Sequence, residues 1–222
     1  MRAATTLDEA PPAAGTAAPA AARRRTQAER REEAERRLLD AALAVVARRG
    51  SVRMTLAEVG EAAGYSRGLP AQRFGSKAGL LRALAAHIGE RFRDLREAGP
   101  PRAPGLDAIR NSIEVYFGRS GADWVTTRAL LVMMTEGFME GSELRANVMA
   151  YNRSALAFFE SHIRHGLASG EIAPGIDPQA TAVILLGALR GTMLQWLVDE
   201  DIDLHSVRDR LLAIVDRVLR AP

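Results

Sequence analysis

The chain has 222 residues, of which 47% are hydrophobic and 26% charged, enough for a small head and a larger companion domain, each with its own core. It contains no cysteine, which excludes a disulfide framework and thiol catalysis. No uninterrupted apolar run of about 18 residues is present to span a bilayer, and no signal sequence opens the chain, so a soluble cytoplasmic protein without a membrane partner is expected. Charge is unevenly divided: eighteen Lys and Arg stand against twelve Asp and Glu up to Pro100, and twelve against fifteen from Pro101 onward. A basic half of this kind suits a nucleic-acid contact at one end of the molecule.

Residues 1–24 are Ala, Pro, Thr and Gly with few large apolar side chains, so they cannot bury enough surface to offset ordering and are expected to be disordered. Arg23, Arg24 and Arg25 close this tail as a solvated charge run or as an arm for a minor groove. From Gln27 to Arg49 a helix is expected, with Leu38, Leu39, Ala42, Leu43 and Val46 on one face and Gly50 at its end. Thr55 and Glu58 then form a capping box that starts a second helix. Leu56, Val59, Ala62 and Ala63 supply its apolar face. Gly64 takes the positive φ that turns the chain, and Ser66 is expected to cap a short third helix anchored by Leu69 and Phe74. This is a helix-turn-helix pattern, and Arg67, Gln72 and Arg73 are placed where long side chains reach phosphates or guanine edges.

The run Gly-Tyr-Ser-Arg-Gly at 64–68, followed by Arg-Phe-Gly-Ser-Lys at 73–77 and an apolar helix from Leu80, resembles the DNA-binding domain of the TetR (tetracycline repressor) family. The match covers roughly residues 30 to 95. The resemblance implies DNA contacts from Thr55, Tyr65, Ser66, Arg67, Gly68, Gln72, Arg73 and Lys77, the last of these at the backbone phosphates; Lys77 is also the only lysine in the sequence. Two positions depart from the family pattern. Ala71 stands where a tyrosine is usual, and Pro70 sits in the first turn of the recognition helix, so the identity of the base-reading side chains is left open.

Ser76 is expected to cap a fourth helix, whose Leu80, Leu81, Leu84, Ile88, Phe92 and Leu95 recur at helical spacing. Breaks at Gly99-Pro100-Pro101 and Pro104-Gly105 follow. The spacing then predicts helices at roughly 105–119, 122–139, 142–169, 177–199 and 203–220, with Asp177 and Asp203 as N-caps and Pro178 as a first helical residue. The fold class is therefore all-α with about nine helices: a tail at 1–24, a helix-turn-helix DNA-binding domain at 25–75, a connecting helix at 76–98, and a helical ligand-binding and dimerisation domain at 99–222.

On the last two helices Gly187, Gly191, Leu194, Leu211 and Val215 are assigned to a dimer interface, where in the TetR family a four-helix bundle joins two subunits. A homodimer of that kind implies a palindromic DNA operator. The middle helices, in that family the walls of a ligand pocket, contribute Trp124, Met134, Phe138, Asn152, Phe158 and His162 as lining for a small hydrophobic inducer, beside the alternative that these residues are ordinary core. Neither a phosphate-binding Gly loop nor a nucleophile elbow is present, and the spacing of His162 and His165 beside Glu160 recurs by chance on a helix, with no further metal ligand to be named, so no catalytic residues, metal or cofactor are expected. The function expected is a ligand-responsive regulator, with a repressor released by inducer as the main reading. A DNA-binding dimer without an inducer, or an activator, is the alternative.

Overall fold

The computed structural model describes residues 26–118 and 124–221. The alanine-rich tail, the arginine run at 23–25 and the expected break at Ser120-Gly121 lie outside the described residues. Within them the chain forms α1 (Gln27–Arg49), α2 (Leu56–Ala62), α3 (Leu69–Phe74), α4 (Lys77–Glu97), α5 (Leu106–Tyr116), α6 (Trp124–Gly137), α7 (Arg145–Ser169), α8 (Pro178–Val198) and α9 (Leu204–Leu219). The strand-like hydrogen bonding among the described residues is one antiparallel bridge, Ile172 to Arg220, which ties the end of α9 to the turn after α7.

Local chemistry sets the helix ends. Thr26 and Glu29 form a complete capping box at α1, with Thr26 Oγ1 accepting from Glu29 N at 3.2 Å and Glu29 Oε2 from Thr26 N at 2.7 Å. At α2 the box expected from the sequence is only half made. Thr55 Oγ1 accepts from Glu58 N at 3.2 Å, but the Glu58 carboxylate is taken by Arg49 at 2.7 Å. The expected cap of α3 also moves. Gly68, not Ser66, is its N-cap, without a side-chain bond, and Pro70 lies in the first turn, where its missing N–H leaves no helical hydrogen bond unmade. Ser76 Oγ accepts from Gly79 N at 3.1 Å and starts α4. Asp177 and Asp203 cap α8 and α9 through the backbone N–H groups of Gln179, Ala180, His205 and Ser206.

One apolar core runs from α1 through α9 without interruption. Leu38, Ala42, Val45 and Val46 of α1 meet Leu80, Leu84 and Ile88 of α4 and Ala129, Leu130 and Met133 of α6, all buried. Polar bonds fasten the same three helices. Asp40 on α1 accepts from Arg91 of α4 at 3.2 Å and lies 3.0 Å from His87 Nε2, while Arg91 Nε donates to Thr126 Oγ1 of α6 at 3.2 Å.

A second fastening sits at the tip of α1. The Glu136 carboxylate near the end of α6 accepts from the backbone N–H of Ser51, 3.0 Å from each oxygen, and also from the Ser51 hydroxyl. Gly50 makes the approach possible: its φ is +79°, and a Cβ there would stand 2.6 Å from Glu136 Oε1. Hydrogen bonds to a charged acceptor are worth about 1.5–3 kcal/mol each, and a half-buried cluster sits at the lower end. Glu136→Ala is therefore expected to lower stability by about 1–3 kcal/mol in urea unfolding, whereas a change of under about 0.5 kcal/mol would mean that apolar packing alone joins α1 to α6.

Candidate functional site

Two regions carry chemistry, one at each end of α4. The first is the surface formed by α2, α3 and the start of α4. Gly60 lets α2 and the turn before α3 touch, because a Cβ there would lie 2.5 Å from Ser66 O and 3.2 Å from Pro70 Cδ. Gly64, with φ +76°, makes the turn. Thr55, Ser66, Arg67, Gly68 and Gln72 are exposed on this end of the molecule, and Arg73 and Lys77 are half-buried. Tyr65 differs from them: its ring packs against the core, and its backbone N–H donates to Gly60 O at 2.9 Å.

The long cations here are held in place. Arg67 Nε bonds Glu61 at 2.5 Å, and that hydrogen bond holds the guanidinium above its ordinary pKa. Lys77 Nζ donates to Val52 O at 2.7 Å, which leaves an ammonium two further donors for a phosphate. Arg73 reaches toward Arg31 O at 3.5 Å and, with Gln27, Arg31, Leu69 and Gln72, lines a groove between α1 and α3.

The second region is a pair of adjoining cavities between α4, α5, α7 and α8. The inner one, of about 270 Å³, is walled by Phe92 of α4, Val115 and Tyr116 of α5, Phe159 of α7 and Leu186 and Leu189 of α8. The outer one, of about 610 Å³, lies between the end of α4 and His162, with Arg93, Arg102 and Pro100 on its walls. Arg93, Arg96 and Phe158 border both. The Arg96 guanidinium lies 4.5 Å above the Phe158 ring, and burial lowers its pKa. Phe158 also packs edge-on to His162 at 4.5 Å. Burial depresses the His162 pKa, and His162 Nδ1 accepts from Gly105 N at 3.3 Å.

Polar groups also line the inner cavity. Tyr116 is 6% exposed and stacks on Phe92 at 5.8 Å. Its hydroxyl and that of Ser112, one turn earlier on α5, are buried without a hydrogen-bond partner among the described residues. Arg190 of α8 donates from Nη1 to Asn152 Oδ1 at 2.5 Å, while its Nε and Nη2 are buried and unpaired among the described residues. Burial lowers the Arg190 pKa, raises that of Tyr116 and pushes Tyr151 up to about 12, and the charge of Arg190 acts on both tyrosines. No carboxylate stands among the described residues that line this cavity.

Of the six side chains assigned to a pocket from sequence, Phe158 and His162 line the cavities. The other four need correction. Trp124 packs on Trp196 at 4.5 Å and donates to Phe117 O at 2.6 Å, so its indole is satisfied outside both cavities. Met134 is buried in the core, Phe138 is 68% exposed beyond α6, and Asn152 serves Arg190 without lining the cavity. Arg96, Tyr151 and Arg190 were not picked out. Arg190 had a visible signal, as the lone charge in a helix of 21 residues.

On α8 a bare apolar face runs opposite the one that packs on α7. Val183, Ile184, Leu194 and Val198 are exposed, Ile184 to 69%, and a Cβ at Gly187 or Gly191 would meet nothing within 4 Å. Ile214 and Val218 of α9 are exposed as well, and Leu211 is half-buried. Val215 is a correction to the expected interface: at 3% exposure it belongs to the protomer's own core with Leu212 and Leu219. By length and composition α8 is apolar enough to cross a bilayer, with a mean hydropathy of 1.5 over its most apolar 18 residues.

Comparison with known proteins agrees with the head and the helix order. Residues 38–84 match the family model of bacterial regulatory proteins of the tetR family. The chain is 22% identical over 180 residues to the fatty acid metabolism regulator protein of Bacillus subtilis (strain 168), covering 80% of this chain and 91% of that one. A crystal structure of a TetR-family transcriptional regulator from Rhodococcus sp. superposes with a TM-score of 0.76 at 26% identity, over 85% of this chain and 99% of that one. The transcriptional regulator FadR from B. subtilis, crystallised with stearoyl-CoA, superposes with a TM-score of 0.65 at 20% identity, over 81% and 96% of the two chains. With its helix-turn-helix between Thr55 and Lys77 and its helices in the same order, the chain carries a head that matches the tetR family model and shares the fold of a TetR-family transcriptional regulator.

Proposed function

We propose that the protein is a ligand-responsive transcriptional repressor, binding a palindromic operator as a homodimer and released when a small, largely apolar ligand enters the inner cavity. The observation that carries this reading is α4. Its first residue, Lys77, stands on the basic head, and its last turns place Phe92, Arg93 and Arg96 in the cavity walls. A helix of 21 residues is a rod of about 30 Å. Displacing its far end by a ligand tilts its near end, and Asp40, Arg91 and Thr126 pass that motion to α1 and α6.

Release then follows from differential affinity. A ligand that fits better when the two heads of a dimer are out of register with successive major grooves shifts the population away from the DNA-bound form. The stearoyl-CoA bound by FadR of B. subtilis supports an apolar chain as part of such a ligand. The bare face of α8 and α9 supports the dimer, since Gly187 and Gly191 leave room for a second helix to approach closely. Two-fold symmetry would set the recognition helices about one DNA turn, or about 34–36 Å, apart. Contacts from Thr55, Tyr65, Ser66, Arg67, Gly68, Gln72, Arg73 and Lys77 remain part of this proposal, with the half-buried ring of Tyr65 acting through packing.

For DNA binding, Lys77→Ala and Arg73→Ala together are expected to weaken operator affinity at least tenfold in gel-shift titration and to flatten its salt dependence by about one unit per lost phosphate contact. Unchanged affinity and slope would remove these residues from the interface. For assembly, Ile184→Asp on the bare face of α8 is expected to give a monomer by sedimentation and to abolish tight operator binding. A stable dimer in that variant would place the subunit contact elsewhere.

A further inference from the structure

The inner cavity holds more polar chemistry than a hydrocarbon needs. Resting on the reading of this cavity as the effector site, we infer that its ligand is a carboxylate with an apolar body, its two oxygens accepting from the Ser112 and Tyr116 hydroxyls with the Arg190 guanidinium as countercharge. Ser112 and Tyr116 are four residues apart on α5 and so share one face; both line the cavity, and both hydroxyls are buried without a partner among the described residues. Buried donors left unpaired are costly, and native interiors keep few of them.

Arg190 adds the sign. Asn152 satisfies one of its nitrogens, while Nε and Nη2 lie buried and unpaired among the described residues. Its charge acts on Tyr116 and Tyr151, both lining residues. With no acid among the described lining residues, a buried guanidinium favours an anion, because low polarity strengthens a charge-assisted hydrogen bond. A cationic ligand meets the opposite field. The apolar part of the lining, Phe92, Val115, Phe159, Leu186 and Leu189, surrounds the apolar body. At about 270 Å³ the space lies near the lower end of ligand pockets, about 300–1,000 Å³, which favours a short chain or a single ring. Arg96 is the competing anchor, but its guanidinium is engaged with Phe158 at the border between the two cavities. An anion held there would sit at the mouth.

The test is calorimetric titration of the full-length protein, without DNA, using carboxylates of four to ten carbons and phenylacetate, with octan-1-ol and octanoyl-CoA as comparison arms. At least one carboxylate is expected to bind at least tenfold more tightly than the alcohol of the same chain. Tyr116→Phe, which removes only the unpaired hydroxyl, is expected to weaken that carboxylate about tenfold while leaving the melting temperature of the free protein unchanged or higher. Arg190→Met is expected to erase the preference for acid over alcohol.

Equal binding of acid and alcohol, undiminished affinity in Tyr116→Phe, or failure of every carboxylate to bind would overturn the assignment. Binding of octanoyl-CoA alone would overturn it too, moving anion recognition to Arg93 and Arg96 at the mouth. Operator release is assayed separately. A carboxylate that binds through Tyr116 but leaves the protein on DNA refutes the repressor reading and spares the ligand assignment, whereas a releasing ligand indifferent to both variants does the reverse.

Discussion

Everything in this molecule depends on α4 being packed along its whole length. Leu80, Leu84 and Ile88 are fully buried between α1 and α6, and Phe92 continues the same stripe into the wall of the inner cavity. A close-packed interior does not deform continuously. A change of volume at Phe92 therefore has to move the helix as a body or repack its neighbours, and the Asp40, Arg91 and Thr126 bonds favour movement with α1 and α6 in step. Head and cavity are thereby mechanically one object, although their surfaces are chemically unlike.

The seam at Gly50 and Ser51 gives that object a second point of attachment. Glu136 grips the loop between α1 and α2 through its backbone, and Lys77 holds the same loop from the other side through Val52 O. The lysine assigned to phosphate is thus one carbonyl away from the end of α6. Movement of α6 relative to α1 would be felt at Lys77 even if α4 stayed still. Two routes run from the body to the helix-turn-helix, and both end at the first turn of α4.

The cavity's character follows from a conflict between α5 and α8. Their apolar faces build the core, yet Ser112, Tyr116 and Arg190 introduce polar groups into it without resolving them internally. In a purely structural core such groups find partners or are replaced, since each unpaired donor costs about 1–3 kcal/mol. Ser112 and Tyr116 line the inner cavity, and Arg190, outside its lining, acts on Tyr116 through its charge.

Helix limits, caps and the helix-turn-helix were legible in the sequence because their causes are local. The Thr55, Ser76, Asp177 and Asp203 caps, and the turn at Gly64, depend on a few neighbouring residues, and the structure has them where the spacing put them. The missing arm of the Thr55 box shows the limit of that reasoning, for Glu58 was claimed by Arg49 from another helix. Which face of a helix looks inward, and at what, is a different kind of question. Leu211, Ile214, Val215 and Val218 form one stripe by periodicity, but the contact with α5 decides that Val215 is core while Ile214 and Val218 stay bare. Trp124 and Phe138 read as pocket aromatics, and only the course of α6 sent one against Trp196 and left the other outside. The interaction of Tyr116 with Arg190 joins residues more than seventy positions apart, so no local pattern encodes it, and only the packing of α5 and α8 on α7 brings it about.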